Sequence, residues 1–107
     1  MSEERLEQLH AMLAEEPGDA FLRYAIALEH RRRGEMEQAI AGLESLLADD
    51  PAHIASYYQL ALLLADADRI TEAIAACEAG ALRCIIAGER KARAELLALK
   101  ASLEDAL

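Results

Sequence analysis

The sequence of 107 residues is poor in the residue types that build β-sheets. Valine, tryptophan and asparagine are absent, threonine occurs once, and isoleucine occurs seven times. These few β-branched residues cannot supply the strands of an ordinary domain, in which roughly a fifth to a quarter of residues are in strands. A sheet is therefore excluded, and the abundance of alanine and leucine indicates helices.

Positive charge is also scarce. Eleven lysines and arginines stand against 20 aspartates and glutamates, which gives a formal net charge of −9. A surface of this sign repels phosphate backbones, so a nucleic-acid partner is not expected. The acidic excess is concentrated in residues 1–54, and any preference for cationic partners is expected in that half.

Long apolar runs are missing as well. The longest unbroken run covers residues 60–65, whereas a helix that spans a bilayer needs about 20 apolar residues. The first residues, Met-Ser-Glu-Glu, lack the basic start and the apolar stretch of a signal peptide. We therefore expect a cytoplasmic protein with no membrane partner.

The cysteines and histidines do not form a recognisable site. Cys77 and Cys84 lie on one predicted helix, about 10 Å apart along its axis, which is too far for a disulfide. Neither Cys-x-x-Cys nor His-Glu-x-x-His spacing occurs among these residues and His10, His30 and His53. We predict reduced, buried thiols, and no catalytic residue, metal or cofactor.

The strongest pattern is a recurrence at an offset of 34 residues. It relates Pro17 to Pro51, and seven further identities occur at the same offset. These identities are Tyr24 with Tyr58, Ala27 with Ala61, Leu28 with Leu62, Ala39 with Ala73, Ile40 with Ile74, Ala41 with Ala75, and Glu44 with Glu78. Small residues recur at the positions where two helices of a hairpin would cross.

This pattern resembles the tetratricopeptide-repeat family, whose 34-residue unit is a helix, a tight turn, an antiparallel helix and a closing proline. The residues of the first unit, 20–53, that match the family are Ala27 and Ala39 in the helices, Gly34 at the turn and Pro51 at the end. The second unit, 54–87, departs from the pattern where Asp68 replaces the turn glycine and Ile85 replaces the closing proline.

The resemblance implies an all-α fold, a right-handed α–α superhelix of about six helices in a single domain covering residues 1–107. Residues 1–16 are the expected leading helix and 88–107 the C-terminal capping helix. The apolar spacing alone predicts helices over residues 3–14, 20–33, 36–48, 53–66, 69–87 and 89–106.

Three residues are assigned to the ends of these predicted helices, and four to the buried face of the first. Asp19 should cap the second helix, the chain should reverse at Gly34, and Gly88 should end the fifth helix. The residues expected on the buried face of the first helix are Leu6, Leu9, Met12 and Leu13.

The resemblance also implies a non-catalytic scaffold whose first helices line a short concave groove for a peptide or a partner helix. The positions that correspond to this groove are Phe21, Tyr24, Leu28 and Arg31 in the first unit, and Ala55, Tyr58, Gln59 and Leu62 in the second. A carboxylate clamp of the kind found in some members is not predicted, because Tyr24, Leu28 and Gln59 occupy its lysine and asparagine positions.

Two alternatives to a groove remain open at this stage. The rings assigned to the groove could instead pack against the terminal helices. Alternatively, the apolar closing helix, or an exposed face of residues 53–66, could form a symmetric homodimer that is itself the functional unit. The run Arg31–Arg33 also has two interpretations. It could bind a carboxylate or phosphate, or it could complement the helix dipole and pair with Glu29, Glu35 and Glu37.

Overall fold

The computed structural model describes residues 2–107, and within them the chain forms six α-helices and no strand. Met1, the first residue of the predicted leading segment, lies outside the described residues. The helices are α1 (Ser2–Glu15), α2 (Ala20–Arg32), α3 (Met36–Asp49), α4 (Ile54–Asp66), α5 (Ile70–Ala87) and α6 (Arg90–Asp105). The predicted all-α class is confirmed, and each helix end falls within about one residue of its prediction.

The chain divides into two compact units, Met1–Asp50 and Pro51–Leu107. In the N-terminal unit α2 packs against both α1 and α3, and in the C-terminal unit α5 packs against both α4 and α6. Each unit therefore contains one helical hairpin, α2–α3 or α4–α5, and one additional helix.

In the N-terminal unit, α1 is held to α2 by a small apolar cluster. Leu9, Leu22 and Ile26 are buried there, and Leu6 and Leu13 pack against them. The prediction that Met12 shares this buried face is wrong, since its side chain is 51% exposed. At 100° per residue, position 12 lies well to one side of the stripe formed by positions 6, 9 and 13, which is the stripe that packs against α2.

In the C-terminal unit, α5 crosses α4 and α6 at Gly80. A methyl group built on Gly80 would place its Cβ 2.6 Å from Tyr57 Cβ and 2.9 Å from Leu96 Cδ1, both below any normal contact. The buried Tyr57 donates a hydrogen bond of 2.6 Å from its hydroxyl to the carbonyl oxygen of Pro51. Only glycine fits at this close crossing.

Three helix ends share one backbone geometry. Gly34, Asp68 and Gly88 all have positive φ, at 78°, 63° and 73°. In each case the next residue donates its N–H five residues back along the chain, to the carbonyl oxygens of His30, Leu64 and Cys84. This is the Schellman arrangement, so Asp68 forms the same turn as Gly34, 34 residues earlier.

The start of α2 is fixed by the predicted cap. Asp19 has an extended backbone, and its Oδ1 accepts a 3.0 Å hydrogen bond from the N–H of Leu22. This bond satisfies one of the N–H groups that the first turn leaves without a helical partner. The cap therefore fixes the residue at which α2 begins, and with it the face on which Phe21 and Tyr24 lie.

Candidate binding surface

A cleft of about 430 Å³ lies in the N-terminal unit, between the start of α1 and one face of α2. Three of the four residues assigned to the groove in this unit line it, namely Phe21, Tyr24 and Leu28. The other lining residues are Arg5, Ala25, Glu29 and Arg32. Spacings of three, four and seven residues put these α2 side chains on one helical face.

Phe21 is the exposed apolar residue of this cleft. It is the single phenylalanine of the chain, and it is 72% exposed, whereas Tyr24 and Leu28 are half-buried. The ring lies in the first turn of α2, two residues after the Asp19 cap. The cleft therefore presents an apolar ring at its edge and partly accessible apolar side chains within it.

The polar side of the cleft is a buried carboxylate held by an arginine. The side chain of Glu29 is only 3% exposed. Arg32 donates to it from Nη2 to Oε1 at 3.0 Å and from Nε to Oε2 at 3.2 Å. A buried carboxylate needs such a partner, because its desolvation is otherwise uncompensated. This forked pair gives the cleft a fixed charged wall.

Arg5 and Glu29 were not anticipated as part of the site. Arg5 comes from α1, and its position against α2 depends on how those two helices pack. For Glu29 a signal existed, since Glu29 and Arg32 have the three-residue spacing of a helical ion pair. That spacing indicates a pair but does not reveal that the carboxylate is buried.

The arginine run at the end of α2 is engaged with acidic groups. Arg32 binds Glu29, while Arg33 Nη2 lies 3.4 Å from Glu35 Oε2 and 3.8 Å from Glu3 Oε1. Arg31, the fourth residue assigned to the groove in this unit, is half-buried and also has an interaction partner. The expected pairing of the run with Glu29 and Glu35 is confirmed.

The remaining groove positions lie on one face of α4, in the C-terminal unit. Ala55 is exposed, and Tyr58, Gln59 and Leu62 are half-buried. Gln59 has an interaction partner of its own. This face is thus partly accessible, and it carries one ring and one amide among apolar side chains.

The thiols and imidazoles lie apart from this surface. Cys77 and Cys84 are buried and unpaired, and burial is the main cause that raises the pKa of each thiol. Both are therefore protonated and weakly nucleophilic at neutral pH. His30 Nδ1 shares a 2.8 Å hydrogen bond with Glu35, and His53 Nδ1 shares one of the same length with Ser56. No group of three or more potential metal ligands occurs within residues 2–107.

This chain is similar to several proteins of known structure. Comparisons with protein-family models and with curated proteins gave no match. A tetratricopeptide-repeat domain protein from Salinibacter ruber, solved by NMR, is 34% identical, with a TM-score of 0.80 over 83% of this chain and 90% of its own. A crystal structure of such a domain from the same organism is 33% identical, with a TM-score of 0.77 over 81% and 97% of the two chains.

A more distant structure has the same fold. The type III secretion translocator chaperone SycD of Yersinia enterocolitica superposes with a TM-score of 0.85 at 12% identity, over 96% of this chain and 72% of its own. The helical hairpins and the Salinibacter ruber relatives together define a class, the helical-repeat interaction modules. The chain belongs to the tetratricopeptide-repeat family.

Membership in this family determines the general activity. Tetratricopeptide repeats are non-catalytic modules for protein–protein interaction, so the chain is an interaction module and not an enzyme. Within residues 2–107, no helix combines the length and the apolar character that crossing a bilayer requires.

Proposed function

We propose that the chain is an adaptor that binds a segment of another protein at the α2 cleft. The observation that supports this is the exposure of Phe21 at the edge of the cleft. A large ring left in water gains free energy when a partner covers it, about 25 cal/mol for each Å² of apolar surface buried. Tyr24 and Arg32, which also line the cleft, belong to residue types that contribute most to the binding energy of protein interfaces.

The lining of the cleft suggests which kind of segment it binds. An apolar side chain of the partner would lie among Phe21, Tyr24 and Leu28. An acidic residue beside that side chain would face Arg5, for which no ion pair is recorded within residues 2–107, and the exposed edge of Arg32. We therefore propose an apolar anchor next to a carboxylate, carried on a short peptide or on a helix.

The α4 face is proposed as a second contact surface. Ala55, Tyr58, Gln59 and Leu62 correspond to the groove positions of the family, and all four are at least partly accessible. Tyrosine suits such a surface because its ring packs against apolar groups while its hydroxyl forms hydrogen bonds. A partner that uses both surfaces would lose affinity when either Tyr24 or Tyr58 is truncated.

The adaptor function is tested by affinity purification with quantitative mass spectrometry. Phe21→Ser removes the exposed ring, and Leu107→Ser, at a residue that is 76% exposed, is the matched control for losing an exposed apolar side chain. We expect at least one protein captured by the native chain to be lost with Phe21→Ser and with Tyr24→Ala/Tyr58→Ala, and retained with Leu107→Ser. If every captured protein survives both sets of changes, these surfaces are not the binding site.

A homodimer through the C-terminal helix is the second candidate function. It is favoured by exposed apolar side chains on α5 and α6, which are Leu82, Ile85, Ile86 and Leu97. An exposed apolar surface of this kind is a common mark of an association site. The geometry of such a dimer is developed in the next section.

We also propose a repeat organisation and a location. Residues 20–53 and 54–87 form the two repeats, flanked by helices in 1–16 and 88–107, and the matching turns at Gly34 and Asp68 support this division. Buried, unpaired cysteines are expected in a reducing compartment, which supports a cytoplasmic location.

A further inference from the structure

The outward face of α6 is exposed over its whole length. Leu96 and Leu103 are buried on the opposite side, in the core of the C-terminal unit. The exposed residues on the outward face are Arg90, Lys91, Ala94, Leu97, Ala98, Ala101, Glu104 and Asp105. A helix face about 24 Å long is therefore open to a partner.

The charges on this face run against the helix dipole. Arg90 and Lys91 lie at the amino end of α6, and Glu104 and Asp105 lie at its carboxyl end. A helix favours acids at its amino end and bases at its carboxyl end, by a few tenths of a kcal/mol to about 1 kcal/mol for each charge. All four of these end charges are thus placed where they weaken an isolated helix.

The C-terminal unit does little to offset this arrangement. Within the described residues, no ion pair is recorded for Arg90, Lys91 or Asp105, and Glu104 lies 3.8 Å from Lys100. In contrast, Lys100 itself approaches Glu78 of α5 at 3.3 Å. Three of the four end charges therefore have no ion pair within residues 2–107, and Glu104 has a long contact with Lys100 alone, so this set of charges can pair with a second molecule.

The charge pattern of α6 is complementary to that of a second α6 helix that runs in the opposite direction. We propose that two copies of the chain associate through an antiparallel pair of α6 helices related by a two-fold axis near Leu97 and Ala98, which rests on the homodimer given above as the second candidate function. Arg90 and Lys91 of each copy then lie beside Glu104 and Asp105 of the other. Reversal also sets the two helix dipoles antiparallel, which is their attractive orientation.

The residues between the charged ends suit a close helix pair. Ala94 of one copy lies opposite Ala101 of the other, and these small side chains allow the axes to approach to about 8 Å. Leu97 of each copy meets its equivalent at the centre.

This interface is small and partly electrostatic. One helix packed on its equivalent buries an area at the low end of protein interfaces, so we expect a dissociation constant on the order of 10 μM at low salt. Because the end charges are exposed, added salt should weaken the association.

Two charge-reversal variants test the pairing. The acidic variant carries Arg90→Glu and Lys91→Glu, and the basic variant carries Glu104→Lys and Asp105→Lys. Each variant gives the α6 dipole a more favourable set of end charges, so a loss of association cannot be attributed to a weakened helix. Each moves the formal charge of −9 by four units, so both stay net negative and have no overall attraction for each other.

Sedimentation equilibrium from about 1 to about 500 μM measures the association. We expect the native chain to dimerise, each variant alone to associate at least about tenfold more weakly, and an equimolar mixture of the two to recover native affinity. The control, Glu15→Lys/Glu16→Lys, makes the same charge change as the basic variant but at the exposed end of α1, and it should associate like the native chain.

The outcomes separate this proposal from the homodimer in general. A native chain that stays monomeric at every concentration overturns both. A native dimer that is insensitive to the charge reversals overturns the α6 pairing alone and leaves self-association through another surface. Variants that both fail to associate, with no recovery on mixing, overturn the antiparallel register.

Discussion

The two units of this chain each place a glycine inside a helix, but the two glycines have different surroundings. A methyl group on Gly42 of α3 would lie 3.5 Å from Ala27 Cβ, which is ordinary van der Waals contact. A methyl group on Gly80 of α5 would lie 2.6 Å from Tyr57 Cβ. Only the C-terminal unit therefore uses its glycine to bring helices closer than alanine would allow.

The difference corresponds to how the helices of each unit are packed. In the C-terminal unit, α6 packs on α5 and also contacts α4, so α5 is enclosed by Tyr57 on one side and Leu96 on the other. In the N-terminal unit, α1 packs against α2, and the cleft that holds Phe21 opens beside it. The tightest helix crossing thus lies in the C-terminal unit, and the cleft that holds Phe21 lies in the N-terminal unit.

The largest effect on stability is expected from Gly80→Ala. The new Cβ collides with Tyr57 Cβ, which is fixed to the backbone of α4 and cannot rotate away. At this distance the cost of overpacking is expected at the upper end of its usual range, about 3 kcal/mol, and it outweighs the gain of about 1 kcal/mol in helix propensity. We expect a loss of about 2 kcal/mol in the free energy of unfolding, measured by urea denaturation.

Hydrogen exchange shows where that loss occurs. Amide protons of α4, α5 and α6 should exchange faster in Gly80→Ala, whereas those of the N-terminal unit should change less. A variant as stable as the native chain would contradict the close crossing at Gly80.

Most of the fold could be predicted because the residues that begin and end its helices act locally. Pro17, Asp19 and Gly34 stop or start helices for reasons that act within a few residues. Asp68 departs from the repeat pattern in residue type, yet it adopts the left-handed backbone that a glycine would have supplied. Aspartate enters that conformation more readily than most residues. The turn at Asp68 therefore has the same shape as the turn at Gly34, although the residue types differ.

The site was less predictable because it depends on contacts between helices. The face formed by Phe21, Tyr24 and Leu28 follows from helical spacing, and these residues line one cleft. The contribution of Arg5 requires the packing of α1 on α2, which periodicity does not specify. Nor does the sequence distinguish Gly42 from Gly80, since the difference lies in the distance to a neighbouring helix.

A smaller effect of opposite sign is expected from Asp68→Gly. Asp68 holds φ at 63°, and Gly34 forms the same turn without a side chain at a φ of 78°. A left-handed backbone costs residues with a Cβ about 1 kcal/mol or more, and glycine avoids this cost but loses more entropy on folding. We expect a gain of about 1 kcal/mol in urea denaturation.

The reciprocal change, Gly34→Asp, serves as the matched control in the N-terminal unit. It should lower stability by a similar amount, because it introduces the aspartate of one turn into the other. Equal stability of both variants and the native chain would mean that the left-handed residue does not limit either turn.

The smallest effect is expected from Gly42→Ala, the counterpart of Gly80→Ala. The new Cβ would lie at an ordinary contact distance from Ala27 and would not displace it. Alanine also stabilises a helix interior relative to glycine by roughly 0.5 to 1 kcal/mol. We expect a gain of about 0.7 kcal/mol, so the two glycine-to-alanine changes should differ in sign. If urea denaturation shows a loss for Gly42→Ala as well, the N-terminal unit is packed as tightly at α3 as the C-terminal unit is at α5, and the contrast between the units fails.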